Sequence, residues 1–136
     1  MNTRKSILLV EDDKVDAMTV KRALREINVT NLLATVNDGE QALEYLRNKD
    51  NERPAIILLD LNMPKMNGIE MLKHMKADVD LRSIPVIVLT TSKADQDRIE
   101  SFSLSVAGYM LKPVDYIQFV EVMRTINIYW TLSELP

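Results

Sequence analysis

With 136 residues, the chain fits one compact domain. Apolar residues make up 46% and charged residues 27%, which is ordinary globular usage, and the net charge of -3 offers no bulk basic surface to nucleic acid or an anionic membrane. Cysteine is absent, which excludes disulfides and thiolate metal sites, and the apolar run Ile7 to Val10 is too short for a signal-peptide core or a membrane span. The expectation is a soluble cytoplasmic protein.

Ile7-Leu8-Leu9-Val10 reads as a buried strand, followed by a helical stripe at Ala17, Val20, Leu24 and Ile27. Asp13 is a candidate N-cap for that helix. Leu32 to Val36 is a second strand. Asp38 then caps a helix, with Gln41 reaching back and Ala42, Leu43 and Leu46 on its apolar face. The third strand, Ala55 to Leu59, is apolar throughout. Asn67 and Glu70 form the next capping pair, with Ile69, Leu72 and Met75 turned inward. Pro85 leads into a fourth strand, Val86 to Leu89, where proline is tolerated at the first position. A polar helix over Ala94 to Ser103 carries Ile99 and Phe102. Val106 to Leu111 is the fifth strand. Asp115 and Gln118 open the last helix, whose face carries Phe119, Val122, Ile126 and Trp130.

Five strands thus alternate with five helices. Strands without polar alternation imply burial on both faces, as parallel sheets require. The expected fold is α/β, a doubly wound five-stranded parallel sheet with the flavodoxin-like strand order 2-1-3-4-5. Residues 1–128 form the domain, and 129–136 are a C-terminal extension beyond the alternating unit.

Ligands of open α/β sheets bind beyond the carboxyl ends of the strands. Strand one ends in Glu11-Asp12-Asp13, strand three in Asp60-Leu61-Asn62, strand four in Thr90-Thr91-Ser92, and strand five in Lys112-Pro113. Carboxylates held close repel one another unless a cation intervenes. All the available ligands are oxygens, which favours magnesium or a similar hard ion. Asp60 is the natural nucleophile for an aspartyl phosphate. Lys112 can pair with phosphate as a point charge, and Thr90 can donate its hydroxyl hydrogen. The three glycines, Gly39, Gly68 and Gly108, are too scattered for a P-loop or a dinucleotide fingerprint. His74 reads as a surface residue, and the eight methionines as core filling.

These segments resemble the response-regulator receiver family of two-component signalling. Ile7 to Asp12 is similar to its first strand and acidic pair. Leu58-Leu59-Asp60-Leu61-Asn62-Met63-Pro64, with Gly68 beyond, is similar to its phosphoacceptor motif. Val88-Leu89-Thr90 matches its switch-threonine strand, and Tyr109-Met110-Leu111-Lys112-Pro113 the end of strand five. The resemblance covers about residues 5 to 128. It implies that Asp60 accepts a phosphoryl group from a sensor histidine kinase. It also implies that magnesium is held by Asp12, Asp60 and the backbone carbonyl of Asn62, with Glu11 acting through water. Thr90 and Tyr109 would be switch residues, Lys112 would contact the phosphoryl group, and the bond before Pro113 would be cis. The acidic pair here is Glu-Asp rather than the family's Asp-Asp.

The chain ends soon after helix five, so a stand-alone regulator is expected, with a protein contact or onward phosphotransfer as output. Its ending, Tyr129 to Pro136, the link Ala77 to Pro85 and the sequence Leu89-Thr90-Thr91-Ser92 resemble the subgroup paired with phytochrome-type kinases. Trp130 and Leu132 suggest a homodimer through helix five and the tail. Apart from its own phosphorylation and dephosphorylation, no enzyme activity is expected. The rival is an aspartate-nucleophile phosphatase such as the haloacid dehalogenase family. That family places its nucleophile after strand one with a second Asp two residues on, whereas Asp60 follows strand three and is followed by Asn62. A pseudo-receiver is disfavoured by the intact set Asp60, Thr90 and Lys112.

Overall fold

The computed structural model describes residues 6–29, 33–61, 67–90, 93–101, 103–104, 106–111 and 115–133. Its elements alternate as β1 (Ile7–Val10), α1 (Lys14–Glu26), β2 (Leu33–Val36), α2 (Gly39–Arg47), β3 (Ile56–Asp60), α3 (Gly68–Ala77), β4 (Val86–Thr90), α4 (Lys93–Ser101), β5 (Gly108–Leu111) and α5 (Tyr116–Ser133). The five strands form one sheet in the order β2-β1-β3-β4-β5, and every neighbouring pair is parallel. The expected fold and strand order are therefore those observed.

The period of two along each strand splits the core into two layers. Leu8, Val10, Ile57, Leu59, Val86 and Val88 face α2, α3 and α4, where they meet Leu43, Leu72, Met75 and Ile99. Ile7, Leu9, Ile56, Leu58, Ile87 and Leu89 face α1 and α5, where they meet Val20, Leu24, Phe119 and Met123. Arg22 of α1 also stands over the Tyr116 ring of α5, 4.3 Å from its centroid, tying those two helices together by a cation–π contact.

Helix starts follow the capping residues in the sequence. The Asp13 carboxylate accepts from the Val15 and Asp16 N–H groups. Asp38 accepts from Gln41 N–H at 2.8 Å, while the Gln41 side chain reaches back to the Asn37 N–H. Asn67 and Glu70 complete a reciprocal capping box. Helix ends were less legible. The helix expected over 94–103 stops at Ser101, because Ser103 takes a left-handed backbone (φ 55°). Leu104 N–H then bonds back to the Ile99 carbonyl, and Ser103 N–H to that of Glu100. Asn28 (φ 62°) ends α1 in the same way. The fifth strand begins at Gly108 rather than Val106, although Ala107 N–H already bonds to the Val86 carbonyl at 2.8 Å. The last helix runs on to Ser133, so residues 129–133 continue α5. Phe102, Lys112, Pro113 and Asn62 lie outside the described residues, and with them the expected cis bond. Among the described residues, no helix is long and apolar enough to cross a membrane.

Candidate metal and phosphoacceptor site

Parallel pairing brings the carboxyl ends of β1, β3, β4 and β5 to one edge. Val10 pairs with Leu59, so the next residues, Glu11 and Asp60, stand level at adjacent strand ends. Glu11 has the same parity as Leu9, and Asp60 the same parity as Leu58, so both turn towards the α1 and α5 side. Glu11 N–H is fixed to the Val36 carbonyl at 3.0 Å, and its Oε2 accepts from Asp13 N–H at 3.3 Å. Asp13 is in turn held as the cap of α1. The turn 11–13 is thus clamped from both sides, and Asp12 projects from its middle.

The result is a cluster of Glu11, Asp12 and Asp60 in which one carboxylate oxygen from each lies within 4.8 Å of the others. Glu11 is 2% exposed and Asp60 8%, whereas Asp12 is exposed. Two like charges at about 4 Å repel by roughly 1 kcal/mol in water and about 4 kcal/mol at the effective dielectric of a protein surface. Three such groups together therefore suit a cation. The donors are all oxygens and one is open to solvent, which fits a hard divalent ion that keeps part of its water shell.

The family resemblance implies that Glu11 completes the acidic pair through water. The structure places a Glu11 carboxylate oxygen within 4.8 Å of those of Asp12 and Asp60 and buries Glu11 deepest of the three. Of the other expected site residues, Thr90 ends β4, one residue beyond the Asp60–Leu89 pair, and its backbone pairs with Leu111. Its side chain is outside the described set, as are Lys112 and Asn62. Tyr109 lies on β5, half-buried and packed against the α2–α4 layer. Burial, and then the Glu100 carboxylate, push its hydroxyl above the ordinary tyrosine range, so it stays protonated and able to donate. His74 is exposed on α3, as expected of a surface residue.

Comparison with known proteins matches this arrangement. Residues 7–124 match the response regulator receiver domain family. The probable methanogenesis regulatory protein FilR2 of Methanothrix harundinacea is 39% identical over 127 residues, which cover 91% of this chain and 82% of that protein. The response regulator Rcp1 of Synechocystis is 38% identical over 95% of this chain and 90% of its own length. The Mn(2+)-bound crystal structure of Rcp1 superposes with a TM-score of 0.83 at 37% identity, covering 97% of each chain. The phosphorylated cyanobacterial phytochrome response regulator RcpA superposes with a TM-score of 0.86 at 38% identity, covering 98% of each chain. With the family's fold, its strand-end acidic cluster and a match over most of its length, the chain belongs to the response regulator receiver domain family of two-component signalling.

Proposed function

We propose that this chain accepts a phosphoryl group from a sensor histidine kinase onto Asp60, in a pocket that holds magnesium, and thereby switches partner binding or relays phosphate. The observation that supports this most directly is the meeting of the Glu11, Asp12 and Asp60 carboxylates at the ends of β1 and β3. Asp12, Asp60 and the backbone carbonyl of Asn62 are the proposed direct ligands, with Glu11 acting through water. When bound, magnesium supplies the positive charge against which the phosphoryl oxygens settle.

An Asp60 carboxylate oxygen attacks phosphorus. The new O–P bond forms as the N–P bond to the kinase histidine breaks, and its electron pair returns to the imidazole. Lys112 is the proposed point charge that contacts the phosphoryl group, Thr90 the proposed hydroxyl donor to it, and Thr90 and Tyr109 the proposed switch residues. The chain is a phosphoryl acceptor rather than a phosphatase of external esters. Its setting is the cytoplasm, where kinase domains of this class deliver phosphate.

Glu11→Gln keeps the shape of the side chain and removes its charge. It is expected to weaken magnesium binding by about 10- to 100-fold, read by calorimetric titration. Affinity equal to wild type would remove Glu11 from the site.

Similarity to RcpA, a phytochrome response regulator, supports a phytochrome-type kinase as donor. Phosphotransfer rates from a panel of kinases test this, and faster transfer from another kinase type would refute it. Helix α5 leaves Ile117 71% and Ile128 54% exposed, which supports a homodimer through that helix and the 129–136 extension of the 1–128 receiver unit. Beryllium fluoride with magnesium should change hydrogen exchange across α4, β5 and α5, including the turns around Ile117 and Ile128. Unchanged exchange there would contradict both the switch and the dimer.

A further inference from the structure

Gly68 is the first residue of α3, and it is buried. Its backbone is not in the left-handed region, so conformational freedom is not what it supplies. What it supplies is room. A Cβ at this position would lie 2.6 Å from Leu61 Cδ2, 2.9 Å from Leu61 Cα and 3.1 Å from the Asp60 carbonyl oxygen. The first of these can yield by a side-chain rotation, but the other two are backbone. Gly68 N–H also donates to the Leu61 carbonyl at 3.1 Å, which closes the connection between β3 and α3.

Neither flank is free to retreat. Strand β3 is bonded to β1 on one side and β4 on the other. Helix α3 is held by its capping box and by buried Ile69, Met71, Leu72 and Met75. Crowding at 68 is therefore felt at Leu61 and at Asp60, whose carboxylate belongs to the acidic cluster. We infer that Gly68 is a positioning residue for the phosphoacceptor site, its missing side chain setting how closely α3 approaches the Asp60 backbone and hence where the Asp60 carboxylate stands relative to Glu11 and Asp12. The inference rests on the proposed role of Asp60. An ordinary helix-start glycine would behave in the opposite way, since alanine at a compatible backbone usually stabilises.

The test compares full-length Gly68→Ala, Leu61→Ala/Gly68→Ala and Asn67→Ala in magnesium titration and in phosphorylation by acetyl phosphate, with circular dichroism as the control for folding. Gly68→Ala should stay folded yet bind magnesium and take up phosphate about 10- to 100-fold less well. The double variant should remain impaired, because it relieves only the Leu61 side-chain contact. Asn67→Ala, which loses the cap without crowding Asp60, should melt earlier but bind magnesium as wild type does. Wild-type behaviour of Gly68→Ala, an equal loss of binding in Asn67→Ala, or unfolding of both Gly68 variants would overturn the inference, since the cost would then not fall on the site. Phosphate uptake by Asp60→Asn would instead overturn the assignment of Asp60 beneath it.

Discussion

Asp60→Asn is expected to reduce phosphoryl uptake from acetyl phosphate by on the order of a thousandfold or more, because the substitution removes the nucleophile and leaves the pocket. Intact mass after incubation with magnesium reads this directly. The fold should survive, since Asp60 ends β3 at the open edge and its main-chain pairing with Leu89 does not depend on the side chain. The metal-free variant should also be at least as resistant to heat as the wild type, because one of three mutually repelling carboxylates is gone. Uptake of one phosphoryl group at the wild-type rate would mean that another residue is the acceptor.

Leu59→Ala should produce the largest change in stability. Leu59 is fully buried on the central strand, between Val10 and Val88 in register, and faces the layer of α2, α3 and α4. Truncation there leaves a cavity that two bonded neighbouring strands prevent from collapsing, at a cost of about 3–4 kcal/mol. Against a typical total of roughly 5–15 kcal/mol this is a major fraction. It corresponds to a drop in Tm on the order of 10 °C. Met18 of α1, 68% exposed, is the contrasting position, where truncation should change stability by less than about 0.5 kcal/mol. Urea unfolding followed by circular dichroism separates the two. A loss below about 1 kcal/mol at Leu59 would mean that the core relaxes around the gap.

The fold was legible because local signals and global pattern agree. The continuous apolar runs of β1, β3 and β4 mark strands covered on both faces, and burial of every residue of β1 and β3 follows. Capping residues sit where helices begin, so Asp13, Asp38 and Asn67 placed three starts within a residue or so. Helix ends carried weaker signals. Serine is an uncommon left-handed residue, and nothing in the sequence singled out Ser103 as the stop of α4. The sequence pattern predicts a stripe on α5 at Phe119, Val122, Ile126 and Trp130, of which the Trp130 side chain lies outside the described set. In the structure Val120 and Met123 are buried alongside Phe119 and Ile126, whereas Val122 is half-buried. The difference arises because α5 packs on α1 as well as on the sheet, which widens its buried face beyond one stripe.

In the site, Asp12 and Asp60 were legible from their place after parallel strands. The depth of Glu11 was not, because a carboxylate written in sequence carries no sign of its burial. It took the register between Val10 and Leu59 to bring the Glu11 carboxylate to the floor of the cluster. The positioning role inferred for Gly68 was hidden for a related reason. It rests on the close approach of Gly68 to Leu61 and Asp60, seven and eight residues earlier in the chain, which no local pattern encodes.

Peptide mapping after acetyl phosphate treatment, with magnesium in one sample and a chelator in the other, tests the reading of Asp60 as a cation-assisted acceptor most directly. A single phosphoryl group is expected on the peptide that carries Asp60, formed with magnesium and absent with the chelator. A label on any other residue, or equal labelling in the two samples, would contradict it.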